Sequence, residues 1–448
     1  MKKILVANRG EIALRIIRAS KELGYLTVAI YSKIDFNSLH VQLADESICI
    51  GENHPSKSYL NMENIVGAAL ALNCDAIHPG YGFLSEDSFF SELVEKAGLV
   101  FIGPNYRVMK ELGDKISAKK NAEALNIPVI PYLCESNFSE LADKLGGEYF
   151  PFPVQLKISN SGGGKGIRKI NSRDEFNDYL KNILDYQANN EENKNVFVEK
   201  IILNCKHIEI QLISDKYGNM ICLGERDCSI QKNNQKLVEE SPVTGQYKEI
   251  IRDLVDASKK LLNHTKYEGL GTVEFLVDSN LNFYFLEVNP RLQVEHTVTE
   301  MITGIDLVKE QIRIAFGSVL RYKQSDVIKS GHVIEVRINL SSNTKSTKIK
   351  DLVFPGGNGV RIDTHIYSGY DCPVYYDSLL AKLIVKGENR EEAISKMNVA
   401  LQQFIIRGID TNIEDQYELI HFEKFIDNSY FTNILESVNK FKEIQNNE

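Results

Sequence analysis

Two apolar rhythms alternate along the first hundred residues. KILVA (3–7) is a short unbroken apolar run, the mark of a strand buried on both faces. EIALRIIRASKEL (11–23) then repeats Ile12, Ile16, Ala19 and Leu23 at helical spacing until Gly24 stops it. LTVAIY, SICI, DAIH and LVFI follow, with helical stretches between them, and this alternation predicts an α/β unit built on a doubly wound parallel sheet. Ligands of such sheets bind at the strand-end loops, here NRGEIA (8–13) and HPGYGFLSE (78–86). The first lacks the glycines of a GxGxxG fingerprint, so no dinucleotide site is expected there.

Between about 130 and 202 the pattern breaks into short strands, a Gly-rich turn and the polar run NNEENKN (189–195), which suggests a small mobile unit. From 203 to 330 strands such as HIEIQLI, GTVEFLV and NFYFLEV alternate with helices, and a third block opens at 331 with HVIEVRINL. TVEFLV (272–277) and FYFLEV (283–288), joined by DSNLN, read as a β-hairpin.

A chain of 448 residues is long enough for several cores. Its hydrophobic fraction of 43% and charged fraction of 25% are ordinary for a globular protein. The net charge of -9 argues against nucleic acid as a partner. No apolar run approaches membrane-spanning length and the N-terminal run is too short for a signal peptide, so no membrane partner is expected. The seven cysteines (Cys49, Cys74, Cys134, Cys205, Cys222, Cys228 and Cys372) form neither a CxxC pair nor a disulfide framework, and a cytoplasmic location is expected.

The hairpin carries the first chemistry. With Glu274 and Glu287 on neighbouring strands, two carboxylates a few ångströms apart repel by about 1 kcal/mol or more unless a cation joins them. Asn289 adds a third oxygen, and an all-oxygen set suits Mg²⁺ or Mn²⁺ completed by substrate phosphates; pairing of each glutamate with a surface lysine is the plainer alternative. The second signal is LKISNSGGGKG (156–166), a strand ending in Lys157 and followed by three glycines and Lys165. It is no P-loop, but flexible backbone amides beside ammonium groups cradle polyphosphate. Together the signals predict a nucleotide held between a mobile flap and a strand platform.

LGDKISAKK (112–120), EKIILNCKHIEIQ (199–211), ERDCSIQKNNQKLVEESP (225–242), GTVEFL, LEVNPRLQVEHTVTEMITGIDL and YYDSLLAKLI closely resemble the biotin carboxylase subunit of acetyl-CoA carboxylase, an ATP-grasp family, over nearly the whole chain. The resemblance implies an N-terminal α/β domain (1–112), an ATP-grasp domain (113–330) with a lid at about 130–202, and a C-terminal α+β domain (331–448). It implies that ATP phosphorylates bicarbonate to carboxyphosphate and that the released CO2 is captured by biotin. Lys115 and Lys157 then match phosphate clamps, and Gly163 and Gly164 the lid's backbone donors. Glu199, Lys200, Ile201 and Ile202 match the adenine hinge, with Leu276 as an apolar wall and His207, Gln231 and Asn234 around the rest of the nucleotide. Glu274, Glu287 and Asn289 match the metal ligands. Lys236, Arg291, Gln293 and Val294 would meet bicarbonate, Arg337 the biotin enolate, and Glu295 would be the general base; His296 is read as structural.

The resemblance also implies a homodimer, with Arg15, Glu22 and Arg361 at matching interface positions, and a biotin carboxyl carrier protein and carboxyltransferase subunits as partners. No Ala-Met-Lys-Met acceptor occurs, so biotin is expected on a separate protein. A pyruvate or propionyl-CoA carboxylase subunit is the alternative assignment, and a degenerate paralogue acting as a scaffold is another. The scaffold reading is motivated by the altered lid loop, with Asn160 and Ser161 for glycines and Lys165 for an arginine, and by the missing Pro-Ser-Pro-Gly segment in the shortened 340–351 stretch; further departures are Gln155 for an apolar residue, Asn234 for a histidine and Asn358 for a dimer-interface phenylalanine. Where positive φ is needed, each lost glycine costs about 1 to 2 kcal/mol, which predicts slower lid closure.

Overall fold

The computed structural model describes residues 1–134, 138–158, 167–190, 196–342 and 344–438. Its first unit is a five-stranded parallel sheet of β1 (Lys3–Val6), β2 (Leu26–Ser32), β3 (Glu46–Gly51), β4 (Ala76–His78) and β5 (Val100–Phe101), in the order β3-β2-β1-β4-β5. Ile4 and Val6 enter one apolar cluster and Leu5 the other, so helices cover both faces. The expected helix runs Gly10–Glu22, and Gly24 at φ +78° supplies the left-handed turn that ends it.

Residues 132–200 form a small antiparallel sheet from β6 (Tyr132–Leu133), β7 (Val154–Ile158), β8 (Ile167–Ile170) and β9 (Val196–Lys200), with β9 and β7 at its centre. The Gly-rich loop, with Asn160, Ser161, Gly163, Gly164 and Lys165, lies outside the described residues.

An eight-stranded sheet dominates the remainder. It contains β10 (Cys205–Ser214), β11 (Met220–Lys232), β12 (Gln235–Ser241), β13 (Gly269–Asp278), β14 (Phe283–Asn289) and β15 (His332–Asn339). After β16 (Asp351–Val353) come two further members, β17 (Val360–Thr364) and β18 (Leu379–Gly387), before β19 (Ile405–Arg407), which pairs with β16. The strand order is β14-β13-β10-β11-β12-β15-β18-β17, so one sheet continues through residue 330 by the β12–β15 pairing.

Period-two alternation divides this sheet into two unlike faces. Ile208, Ile210 and Leu212 of β10 and Val273, Phe275 and Val277 of β13 pack with Leu254, Leu261 and Leu262 of the helix Ile251–His264. Ile334, Val336 and Ile338 of β15 and Ala381, Leu383 and Val385 of β18 continue the apolar side. Each such fully buried side chain contributes roughly 1.5–3 kcal/mol. The residues between them are His207, Glu209, Gln211, Glu274, Glu335, Arg337 and Lys382, which put ionisable groups along the other face. That face is covered by the segment after β14 and by the helix His296–Thr303. Among the described residues no helix is long and apolar enough to cross a membrane.

Candidate active site

Register assembles the site. Glu274 lies directly opposite both Glu287 of β14 and Glu209 of β10, and Glu209 in turn opposite Arg226 of β11. Directly paired residues share a face, so this row brings three carboxylates and a guanidinium together on the floor. The expected hairpin is present, its turn closed by the Asp278 carboxylate, which accepts from the amides of Asn280 and Asn282 at 2.9 Å each.

Lys236 is the hub. Its Nζ lies 2.6 Å from Glu209 Oε2, 2.8 Å from Glu274 Oε1 and 2.7 Å from Glu295 Oε1. Two carboxylate groupings have metal-like spacing, His207/Glu209/Glu274 and Glu209/Cys228/Glu295, and in both the ammonium already bridges the acids. Burial disfavours the charge on Lys236, but the three glutamates overcome this and hold its pKa well above the ordinary lysine value. Glu295 also faces Arg337, whose Nη2 is 3.1 Å from Oε2. Burial would raise the Glu295 pKa; Lys236, Arg337 and Arg226 outweigh it and keep the carboxylate ionised far below its usual range.

Glu274 has both oxygens engaged. Oε1 also accepts from Asn289 Nδ2 and Gln293 Nε2, each at 2.8 Å, and Oε2 lies 2.7 Å from His207 Nε2. Glu287 is more exposed and meets Lys115 Nζ at 3.4 Å. The paired glutamates and the Asn289 side-chain oxygen make a hard, all-oxygen donor set that fits Mg²⁺ or Mn²⁺ better than zinc. Asn289 Oδ1 here accepts from Arg291 Nη2 at 2.8 Å, and Arg291 Nε donates to Glu86 at 2.8 Å. Glu86 comes from the HPGYGFLSE loop of the first unit, so a strand-end loop does reach the site.

A second cluster stands at the root of the small sheet. Glu199, fully buried on β9, forms ion pairs with Lys157, whose Nζ is 2.6 Å away, and with Lys119, whose Nζ is 2.7 Å away. Lys200 lies with its ammonium 5.4 Å from the Phe150 ring, and Ile201 and Ile202 follow it, half-buried. Leu276 sits opposite His207 in the β10–β13 register, and His207 Nδ1 is 2.7 Å from Gln231 Nε2. Asn234 stands exposed at the tip of the β11–β12 turn, where Asn233 and Asn234 have φ of +53° and +62°. Consecutive left-handed residues make the tightest hairpin turn, and asparagine tolerates it.

Gln293 is buried between Arg226 Nη2 at 2.7 Å and Glu274, and the Val294 carbonyl accepts from Lys382 Nζ at 2.8 Å. His296 is fully buried with Nδ1 2.8 Å from the Gln293 carbonyl, which agrees with a structural role. Arg226, Glu209, Lys119, Lys382 and Glu86 were not singled out from sequence. Arg226 is wholly buried and binds Glu209, Gln211, Thr299 and Gln293. The signal for Glu209 was present: it is a charged residue at the polar beat of HIEIQLI.

A small antiparallel sheet carrying buried ammonium groups and a large antiparallel sheet carrying a carboxylate row fit the architecture of an ATP-grasp ligase. The biotin carboxylase N-terminal domain model matches residues 1–109, the carbamoyl-phosphate synthase L chain ATP-binding domain model 114–323, and the biotin carboxylase C-terminal domain model 335–437. The chain belongs to the biotin carboxylase family and is an ATP-dependent ligase. It is 45% identical to the biotin carboxylase of Nostoc sp. over 98% of this chain and 99% of that one, and 45% identical to biotin carboxylase 1 of Bacillus subtilis over 98% of each. The biotin carboxylase domain dimer of Hydrogenobacter thermophilus 2-oxoglutarate carboxylase, in complex with MgADP, ADP and bicarbonate, superposes with a TM-score of 0.90 at 42% identity and 97% coverage of both chains. The biotin carboxylase–beta-gamma-ATP complex from Campylobacter jejuni gives a TM-score of 0.90 at 41% identity, covering 97% of this chain and 98% of that one.

Proposed function

We propose that the protein carries out ATP-dependent carboxylation of biotin with bicarbonate, through carboxyphosphate, on the residues assembled around Lys236. The observation that carries this reading is the single ammonium touching Glu209, Glu274 and Glu295 with Arg337 beside it, because it joins the metal row to the base.

Lys115 and Lys157 bind the polyphosphate, together with the lid amides of Gly163 and Gly164. The hinge from Glu199 to Ile202 and the wall at Leu276 take adenine, with His207, Gln231 and Asn234 bordering the rest of the nucleotide. Glu274, Glu287 and Asn289 would hold a divalent ion, which would supply neutralisation of phosphate charge during transfer. To do so Asn289 and Glu274 would give up their present hydrogen-bond donors. Lys236, Arg291, Gln293 and the Val294 backbone orient bicarbonate, and the planar guanidinium of Arg291 suits a carbonate-like anion.

Glu295, held far below its ordinary pKa by Lys236, Arg337 and Arg226, is a weak base as it stands. Diversion of Lys236 to bicarbonate and of Arg337 to the biotin oxygen removes the two larger of these influences and raises its basicity when both substrates are in place. Proton removal is thereby tied to occupancy.

Biotin arrives on a separate carrier protein, carboxyltransferase subunits complete the reaction, and the chain works as a cytoplasmic homodimer. The motif resemblance favours acetyl-CoA as final acceptor. The units are 1–112, 113–330 and 331–448. ADP release measured against bicarbonate tests the reading: it is expected to require bicarbonate, to rise with free biotin, and to fall by at least 100-fold in Arg291→Ala and Glu295→Ala. ATP hydrolysis indifferent to bicarbonate would overturn it.

A further inference from the structure

Behind Arg337 lies a pair of buried glutamates that the reaction scheme leaves unused. Glu239 of β12 and Glu335 of β15 are direct cross-strand partners, and both are fully buried. Arg337 binds one oxygen of Glu239, with Nε at 2.7 Å and Nη2 at 2.5 Å from Oε1. Thr297 of the overlying helix binds Oε2 of Glu335. Among the described residues the remaining oxygens, Glu239 Oε2 and Glu335 Oε1, have no hydrogen-bond partner, and Glu335 has no ion pair.

Two ionised carboxylates facing each other in a dry strand pair are strongly unfavourable, and orphaned buried acceptors add a further penalty. One proton removes both problems, since a protonated oxygen on one side chain donates to the orphan on the other.

We propose that Glu239 and Glu335 share a single proton, and that this acid pair is a positioning device that sets how far the Arg337 guanidinium leans away from Glu295 and the biotin site. With the proton present, one negative charge stands behind Arg337. When it is lost, two stand there and draw the guanidinium back from the cleft.

The groups facing the pair are Glu295 and Lys236 beside Arg337, Lys382 from β18, the neutral Cys228 thiol from β11, and Thr297 and the neutral His296 from the helix above. Burial raises Glu239 to about 7 against the pull of Arg337, and burial together with Glu239 raises Glu335 well above its ordinary value. Both folded-state values exceed the unfolded ones. The pair's contribution is therefore fully present below about pH 4.5 and is lost as pH rises through the folded values, so the effect on Arg337 is an alkaline one.

The proposal rests on the preceding reading for the role of Arg337 but not for the proton, which infrared spectroscopy reads in the enzyme without substrates. The wild type minus Glu335→Gln difference spectrum at neutral pH, which subtracts the Glu11 carboxyl that burial also raises to about 7, is expected to show a protonated-carboxyl C=O band that shifts in D2O. Its disappearance on alkaline titration should coincide with a rise in the KM for biotin at unchanged ATP KM. Glu335→Gln supplies a permanent neutral donor, so its biotin KM should stay within about threefold of wild type at neutral pH and lose that alkaline rise. No band in that difference spectrum, or an alkaline KM limb unchanged by the substitution, would overturn it. Loss of bicarbonate-dependent ADP release with the infrared band intact would instead indict the functional reading.

Discussion

Two buried lysine–glutamate clusters in this protein have opposite compositions. On the large sheet one ammonium, Lys236, is shared by Glu209, Glu274 and Glu295. At the root of the small sheet one carboxylate, Glu199, is shared by Lys119 and Lys157. Around its shared ion the first has an excess of carboxylates, which Arg226 and Arg337 partly answer from Glu209 and Glu295, and the second an excess of ammonium groups. A metal–nucleotide complex carries both signs: its cation belongs at the Glu274–Glu287 side and its phosphates toward Lys157. Neither cluster is an efficient way to stabilise a fold, because buried ions lose more on desolvation than imperfect pairing returns. Their unequal stoichiometry makes sense once each is completed by a ligand. The Arg9–Asp35 pair of the first unit shows the contrast: two matched hydrogen bonds at 2.7 and 2.8 Å, a further one from Tyr59, and no excess of either sign in the pair.

The comparison breaks hardest at Lys236. Lys236→Met leaves three carboxylates facing one another, and bicarbonate-dependent kcat/KM is expected to fall on the order of 1,000-fold. Breaking the buried pairs should also lower stability by about 3–5 kcal/mol, measurable by urea unfolding. Activity within tenfold of wild type would show that the ammonium only holds the sheet together.

Lys119→Met is the matching experiment on the positive cluster. Lys119 is almost wholly buried, and burial pulls its pKa down against Glu199. With it gone, Glu199 acts on Lys157 alone and holds that ammonium back from phosphate. The KM for ATP should rise about tenfold while kcat changes less than about threefold, a split read from initial rates at saturating bicarbonate. A fall in kcat at constant KM would mean that Lys119 itself stabilises the transition state.

Much of this contrast was legible in the sequence, and unevenly so. The parallel sheet was readable because uninterrupted apolar runs and helical periodicity leave one arrangement open. Glu274, Glu287 and Asn289 were placed together because a two-strand hairpin fixes its own register. Glu209 and Arg226 lie two and three strands from β14 and meet Glu274 only through pairings that local pattern does not specify. Lys119 looked like the second of three lysines on a polar helix, LGDKISAKK; its burial depends on β9 bringing Glu199 against it. The 330 region reads as a unit boundary in sequence, yet β12 and β15 pair across it, since strand order in antiparallel sheets is set by tertiary packing.

The smallest effect is expected where the negative cluster meets solvent. Arg291 bridges Asn289 and Glu86, and the Glu86 side chain is 36% exposed. An exposed pair is screened, and its strength is of the order of 1 kcal/mol or less. Glu86→Gln keeps the shape and removes the charge, so Arg291 is released toward its anion. The KM for bicarbonate should fall by about two- to threefold at low ionic strength and return to the wild-type value as salt is raised. An increase in that KM would show instead that Glu86 holds Arg291 in its working position, so that this carboxylate, unlike those around Lys236, orders the site without waiting for a ligand.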